Sequence, residues 1–287
     1  MPRRCAALAV TTAASVAARS PRQDEGATSA IELCGTKLPL GPSLRRLWCE
    51  YDEPPVLDRF LETADAYERH LPKPASSLQL RMLEMGVQSG GSVRTWRKYY
   101  GNGLHYVGVD LNAGCRRSER AEEKTYIEIG SQTNASFLRG VCARHGPFDI
   151  VIDDGGHTPD TILTPLKTLW QSEECMKERS LYVIEDMHVM HYSGHVRRPE
   201  ALYGLVGGGF WAMHWAYPGL PPKANRYGPE SKNGKHPLWG DRLEAVHGYP
   251  TIAFFERGHV YGKQTKLVRG TDRLEDNVGF HRGRRMV

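Results

Sequence analysis

The sequence lacks long apolar runs, and no stretch of its 287 residues approaches the ~18 consecutive apolar residues that a membrane-spanning helix requires. With 40% hydrophobic and 25% charged residues, the chain has the composition of a globular protein. We therefore expect no stable membrane insertion, and one large packed domain with a short N-terminal addition.

Closely spaced cysteines are also missing from the sequence. The six cysteines are widely scattered, and they form neither a CxxC motif nor the dense framework of small disulfide-rich domains. We therefore predict free, buried thiols for most of them.

The body of the chain has no excess of basic residues, although the formal charge of the whole sequence is +5. Of the 38 Lys and Arg residues, seven are arginines in residues 1–22 and 281–285, which leaves 31 basic against 33 acidic residues elsewhere. A nucleic-acid-binding face needs basic residues clustered on the folded body, and no recognised binding signature is present. The sequence therefore predicts no nucleic-acid partner.

Acidic residues are absent from the first 22 positions, which are rich in Ala, Ser and Thr and contain four arginines. This composition is typical of a cleaved targeting segment. The scattered arginines suit an organellar transit peptide, and the small residues at 15–17 suit a secretory signal. A tail without an address, in a cytoplasmic protein, is the alternative. We assign residues 1–30 to a targeting or disordered segment.

Short apolar runs alternate with amphipathic segments through most of the chain. Apolar residues at helical spacing predict a leading helix at 56–71. The remaining elements are strands at 78–85, 105–111, 125–129, 148–152 and 181–184, and helices at 93–100, 137–142 and 162–170. Strands that alternate with helices predict a Rossmann-like α/β fold, with a mainly parallel sheet and helices on both faces.

The last third of the chain changes character. Residues 203–240 are rich in glycine, proline and aromatic residues, and we interpret them as an insertion that forms either a substrate lid or packing under a long loop. Strands follow at 242–246 and 251–255, and their short connection requires an antiparallel hairpin. The predicted division is a helical cap at 31–75, one domain at 76–270 that includes the insertion, and a basic tail at 271–287.

Glycines follow the first predicted strand, in the segment LEMGVQSGGS at 83–92. Such glycines allow a ligand to approach the backbone at the C-terminal end of a parallel strand, where open α/β sheets bind their ligands. The spacing is not the GxGxxG of dinucleotide folds, and Glu84 suits a cationic amino group better than a pyrophosphate. The next strand ends in Asp110, which is placed to accept hydrogen bonds from a ribose. Together these features favour an adenosine ligand over an empty turn and a solvated strand end.

Acidic residues and a histidine follow two later strands. Asp153, Asp154 and His157 follow one strand, and Glu185 and Asp186 follow the next. Because neighbouring side chains on a strand point to opposite faces, Asp153 and Asp154 are expected to have different partners. The convergence of carboxylates favours a hard divalent cation, Mg²⁺ before Mn²⁺ or Ca²⁺. Pairing with an Arg or Lys side chain is the alternative.

Five segments, in this order, resemble the class I S-adenosylmethionine (SAM) dependent methyltransferases of the macrocin and mycinamicin sugar O-methyltransferase type: LEMGVQSGGS, YVGVD, FDIVIDDGGH, YVIEDMH and EAVHGYPTIAFFERG. The resemblance covers about residues 78–258. It implies three groups of site residues, namely a SAM site at Glu84, Gly86, Gly90, Ser92, Asp110, Gln132 and Asp153, a Mg²⁺ site at Asp154, Glu185 and Asp186, and a catalytic base at His157.

The sequence departs from the family pattern at two places. Ser131 replaces the aspartate of the family's GDQ motif, so that only Gln132 carries over, and residues 177–180 replace the usual Pro-Gly-Gly. The first change concerns the adenine side of the site, and the second reshapes a turn.

The implied reaction transfers a methyl group from SAM to a hydroxyl of a sugar or glycoside-like acceptor, with a metal ion and a histidine that together activate the hydroxyl. His188 is expected to support the site from outside. One rival is an iron-dependent hydroxylase-like enzyme that uses Asp154 with two of His157, His188 and His191. Another is a non-catalytic binding protein with the same fold, for which Ser131 is the one hint. The sequence leaves open whether the chain forms a homo-oligomer.

Overall fold

The computed structural model describes residues 30–39, 43–189, 238–239 and 242–258. The predicted targeting segment, nearly all of the aromatic insertion and the basic tail lie outside these ranges. Residues 30–39 form a small antiparallel hairpin of strands β1 (Ala30–Leu33) and β2 (Thr36–Pro39), where a helical cap was expected.

The described residues contain no helix with the length and apolar character that crossing a membrane would require.

The central element of residues 42–287 is a seven-stranded sheet, as far as the described ranges show. Its strands are β3 (Leu80–Met85), β4 (Leu104–Asp110), β5 (Thr125–Ile129), β6 (Phe148–Asp153), β7 (Met176–Ile184), β8 (Leu243–Gly248) and β9 (Ala253–Arg257). The order across the sheet is β5-β4-β3-β6-β7-β9-β8. Strands β3 to β7 are parallel, and β9 is antiparallel to both β7 and β8. The predicted α/β fold with a C-terminal antiparallel hairpin is confirmed.

The helices of this unit are α1 (Leu44–Cys49), α2 (Leu61–His70), α3 (Gly91–Tyr100), α4 (Ala135–His145) and α5 (Pro159–Trp170). Helix α2 is shorter than the prediction for 56–71, because residues 56–60 are not helical and Arg59 in this segment is bound to carboxylates at the edge of the sheet. Strand β7 is longer than predicted, because residues 177–180 are polar and therefore give no apolar signal.

Both faces of the sheet are buried. On one face, Leu83 and Val151 pack with residues of α4 and α5. On the other, Met82 and Ile150 pack with residues of α1, α2 and α3. Side chains that alternate along a strand thus enter two separate cores, as expected for a parallel sheet covered by helices.

Cys142 of α4 and Cys175, which precedes β7, form a disulfide, whereas Cys115 is a buried free thiol. For Cys142 and Cys175 the prediction of free thiols is wrong. The end of α4 packs on the residues before β7, and the N–H of Phe148 donates to the carbonyl oxygen of Cys175 at 2.7 Å. Spacing in the sequence does not show this contact.

The turns after β3 and β6 touch at Gly86. Its φ of +92° lies in the left-handed region, and a Cβ atom there would lie 2.1 Å from the backbone oxygen of Asp154. Glycine is therefore required both by the backbone conformation and by the close approach of a second chain segment.

We expect Gly86→Ala to lower the free energy of unfolding by about 1–3 kcal/mol, because the backbone of Asp154 must move. Gly140→Ala is the matched control, since its Cβ would meet nothing closer than the flexible end of Arg144 at 3.4 Å. That change on α4 should stabilise the protein by about 0.5–1 kcal/mol. Urea unfolding of both variants measures the difference, and equal stabilities would contradict the close-approach argument.

Candidate functional site

A cavity of about 800 Å³ lies at the C-terminal ends of β3, β4, β6 and β7. Pockets for small molecules and cofactors usually occupy ~300–1,000 Å³ and lie at this edge of open α/β sheets. The walls come from the glycine-rich turn, the ends of the strands and the non-helical residues 56–60.

Asp110 holds the glycine-rich turn in place. Its carboxylate accepts hydrogen bonds from the backbone N–H groups of Val87 and Gln88, both at 3.0 Å, and of Asn112 at 2.8 Å. A carboxylate has about four acceptor positions, so Asp110 keeps capacity for a ligand hydroxyl on the cavity side. The predicted residues Gly86, Ser92 and Asp110 all line the cavity.

Gly90 lies behind the turn and not among the residues that line the cavity. Its φ is +96°, and a Cβ atom there would lie 2.2 Å from the Ser118 hydroxyl oxygen. Gly90 therefore shapes the turn that precedes α3, and a direct contact with a cofactor stays a prediction.

Glu84 lies beneath the cavity, with no exposed surface. Its carboxylate accepts hydrogen bonds from Ser92 Oγ at 2.9 Å, from the Tyr106 hydroxyl, and from Arg59 Nη2 at 2.6 Å. The residue proposed to meet a cationic amino group is thus already paired with a cation of the protein itself.

Gln132 lines the cavity and is fixed by three hydrogen bonds. Its Nε2 donates to Asp153 Oδ1 at 3.0 Å and to the carbonyl oxygen of Thr161 at 2.7 Å, and its Oε1 accepts from the N–H of Gly156 at 3.1 Å. Asp153 is buried behind it. Burial raises the pKa of Asp153 to about 7, although the hydrogen bonds from Tyr182 and Gln132 lower it. Asp153 therefore supports Gln132, while Asp154 faces other partners, as the alternation along the strand predicts.

Arg59 is the main site residue that the sequence analysis missed. Its Nη1 lies 2.5 Å from both Asp154 Oδ2 and Glu185 Oε1, and its side chain is only 6% exposed. Its Nη2 also contacts Glu84, which belongs to β3. Arg59 thus joins three acids, since Asp154 follows β6 and Glu185 follows β7. Pairing with an Arg or Lys side chain, which was the alternative to a metal ion, is therefore what the structure shows for Asp154 and Glu185. Arg59 stands in a segment predicted as helix, and no motif marks it.

Glu185 has a second partner in Tyr67, whose hydroxyl donates to Glu185 Oε1 at 2.5 Å. Burial raises the pKa of the Glu185 carboxyl, and Arg59 and the Tyr67 hydrogen bond oppose that rise. The Glu185 carboxylate thus shares Arg59 with Asp154 and is held by Tyr67 as well.

Asp154, His157 and Asp186 form a group whose ligand atoms all lie within 4.8 Å of one another. His157 Nε2 lies 3.5 Å from Asp186 Oδ2, and His188 Nδ1 lies 4.0 Å from Asp186 Oδ1. Asp186 has a φ of +52°, a left-handed conformation that costs a non-glycine residue of order 1–3 kcal/mol and recurs at functional sites. His191 lies outside the described residues.

These residues fit a divalent cation in part. Asp154 and Asp186 offer the carboxylate oxygens that Mg²⁺ prefers. One oxygen of Asp154 is already bound by Arg59, however, and the Glu185 carboxylate is bound by both Arg59 and Tyr67. Burial lowers the pKa of His157, although the neighbouring Asp186 raises it. The imidazole is therefore suited to accept a proton.

We expect Arg59→Gln to lower the free energy of unfolding by about 3–5 kcal/mol, because it leaves buried carboxylates without a cation. Arg94→Gln is the control, since the Arg94–Glu53 pair is 48% and 34% exposed. Its loss should change stability by no more than ~0.5 kcal/mol. Chemical denaturation measures both values. A small effect at Arg59 would show that the buried pairs do not support the fold.

Comparison with known proteins gives no matching family model. Individual relatives do match. The chain is 28% identical over 206 residues to the demethylmacrocin O-methyltransferase of Streptomyces fradiae, which covers 67% of this chain and 47% of that protein. It is 30% identical over 247 residues to the mycinamicin VI 2''-O-methyltransferase of Micromonospora griseorubida, which covers 82% of this chain and 56% of that protein.

Among solved structures, the MycE methyltransferase from the mycinamycin biosynthetic pathway, in complex with Mg and SAH, matches with a TM-score of 0.61 and 26% identity. The match covers 80% of this chain and 58% of that one. The chain spans about half the length of the curated relatives that it matches. In sequence and in fold, it resembles the macrocin- and mycinamicin-type sugar O-methyltransferases, which have a Rossmann-like methyltransferase fold.

Proposed function

We propose that this chain is a Mg²⁺-dependent O-methyltransferase that moves a methyl group from SAM to a hydroxyl of a sugar or glycoside-like small molecule. One observation carries the proposal. A single cavity holds the glycine-rich turn with Asp110 and, beside it, the cluster of Asp154, His157 and Asp186. The relatives named above support the proposal, since they are O-methyltransferases and the structural relative was solved with Mg and SAH.

The cofactor end of the cavity is assigned to the turn at 86–92. Gly86 permits the close approach of a ligand to the backbone, and Asp110 retains an acceptor position for a ribose hydroxyl. Gln132 also lines the cavity, and Asp153 orients it by accepting a hydrogen bond from its Nε2. Glu84 and Gly90 shape the turn from below and behind, whereas Ser92 lines the cavity. A bound SAM molecule supplies the methyl group.

The acceptor end is assigned to Asp154, Asp186 and His157, with Glu185 as a third carboxylate, and metal binding competes with Arg59 for Asp154 and Glu185. A divalent cation bound there would lower the pKa of the acceptor hydroxyl. His157 Nε2, 3.5 Å from Asp186, takes the hydroxyl proton, and the Asp186 carboxylate stabilises the imidazolium that forms. His188, 4.0 Å from Asp186, contacts that acid from outside and supports its orientation.

In the cavity, the described residues favour the methyltransferase over the iron-dependent alternative. An iron site of the oxygenase type needs two histidines and one carboxylate. The group that lies at the cavity has one histidine and two carboxylates within the described ranges, and His191 of the alternative set lies outside them. A non-catalytic protein with this fold would show no turnover, so an activity assay tests that alternative directly.

The proposal predicts SAM binding by calorimetry and methyl transfer to glycoside hydroxyls in the presence of Mg²⁺. EDTA should abolish turnover while SAM still binds, because the cation serves the acceptor hydroxyl. Added Mg²⁺ should restore turnover. Full activity in EDTA would refute the metal requirement, and SAM binding without methyl transfer to any glycoside hydroxyl would favour the non-catalytic protein.

We expect His157→Gln to reduce turnover by ~10² to 10⁴-fold, the usual contribution of a general base. Affinity for SAM and the melting temperature should stay unchanged, because only the transition state needs the proton acceptor. His188→Gln is the matched control and should retain most of the activity. If His188→Gln loses the turnover and His157→Gln keeps it, the base is His188.

A further inference from the structure

A second group of metal-ligating side chains lies away from the cavity. It consists of His70 at the end of α2, His247 of β8 and Glu256 of β9, and their ligand atoms all lie within 4.8 Å of one another. None of these residues lines the cavity described above. The group is thus separate from the cluster assigned to methyl transfer.

The sheet register brings His247 and Glu256 together. Glu256 pairs with Ala245, and His247 lies two residues beyond Ala245 on the same face of the strand. His247 Nε2 lies 2.8 Å from Glu256 Oε1. Helix α2 then places His70 Nδ1 3.8 Å from the same oxygen.

These separations fit a small transition-metal ion. In a tetrahedral site with bonds of ~2.0–2.2 Å, ligand atoms lie about 3.3 Å from one another. The separations of His247 Nε2 and His70 Nδ1 from Glu256 Oε1, 2.8 and 3.8 Å, lie on either side of that value. The His70 and His247 rings lie nearly parallel, with centroids 4.1 Å apart and planes tilted by 30°. Because the lone pair of an imidazole nitrogen lies in the ring plane, metal binding requires one of the rings to turn.

The other nitrogen of His70 is also held. Nε2 is hydrogen-bonded to the Tyr249 hydroxyl at 2.8 Å, which fixes the ring orientation and leaves Nδ1 facing Glu256. A hydrogen bond to the outer nitrogen is the usual way in which proteins orient a histidine ligand. The His70 side chain is only 11% exposed, so its orientation is further restricted by packing.

We propose that His70, His247 and Glu256 form a zinc site that fastens helix α2 to the β8–β9 hairpin. Two imidazoles and one carboxylate are a donor set that Zn²⁺ accepts, with the fourth position left to water, and the same set also suits Fe²⁺. Because none of the three residues lines the cavity, the site would act on the fold and not on methyl transfer. Helix α2 also carries Tyr67, the hydrogen-bond donor to Glu185, so the zinc site anchors the helix that supports the cavity floor.

The test uses the full chain, treated with EDTA and then exchanged into chelator-free buffer. Co²⁺ serves as a visible probe of a four-coordinate site, and Zn²⁺ is then added to displace it and to measure stoichiometry and melting temperature. We expect wild type to bind one more equivalent of Zn²⁺ than His247→Asn and Glu256→Gln. Zinc should raise the melting temperature of wild type, and this rise should be absent from both variants.

Two controls locate the ion. His145→Gln removes a histidine that also contacts a glutamate, with Nε2 2.9 Å from Glu128 Oε1, but belongs to no three-ligand group within the described ranges. It should keep the full zinc stoichiometry. Asp186→Asn alters the other cluster and should keep the Co²⁺ spectrum of this one.

Tyr249→Phe should weaken binding by ~10–100-fold, the usual effect of removing the partner of a ligating histidine.

Equal zinc stoichiometry in wild type, His247→Asn and Glu256→Gln would overturn the proposal. So would binding that needs millimolar metal, since the group would then be a hydrogen-bonded His–Glu network that takes up ions adventitiously. Glu256→Gln retains the shape of the side chain and a hydrogen-bond acceptor for His247. If Glu256→Gln loses zinc binding but keeps the melting temperature of wild type in EDTA, the site is supported even when a histidine variant folds poorly.

Discussion

The organisation of the site depends on one buried cation, the guanidinium of Arg59. A carboxylate that leaves water loses several kcal/mol of hydration, and this loss is tolerable only next to a charge partner and hydrogen-bond donors. Glu84, Asp154 and Glu185 come from adjacent strand ends, and Arg59 contacts all of them. This interaction holds the non-helical residues before α2 over the sheet edge and thereby forms one wall of the cavity.

The same interaction defines the chemistry of the cavity. Arg59 neutralises Glu84 and Glu185, while the nearest charge partners of Asp186 are His157 and His188. Asp154 belongs to both, since it contacts Arg59 and is a member of the group of possible metal ligands. A divalent cation and Arg59 therefore attract the same carboxylate, and the position of the Arg59 side chain bears on how strongly the site holds a metal ion.

Much of the architecture follows from local patterns that a sequence shows. Strand β5 was predicted at its observed bounds, and the antiparallel hairpin follows from a connection too short for a crossover. The placement of Asp110 and Asp154 at one sheet edge follows from parallel strands that end together. Arg59 could not be predicted in the same way. Its partners lie 25, 95 and 126 residues away in the chain, and no spacing rule connects them.

The sequence by itself determined the class of fold, the edge of the sheet that carries the site, and the acids and histidine delivered to that edge, because periodicity and strand ends are local properties of the chain. Tertiary structure decided how those groups are paired. It bound Glu185 to Arg59 and Tyr67, left Asp186 with His157, joined Cys142 to Cys175, and brought His70 next to β8 and β9. Each of these contacts joins segments far apart in sequence, and packing, not residue type or spacing, selects the partner.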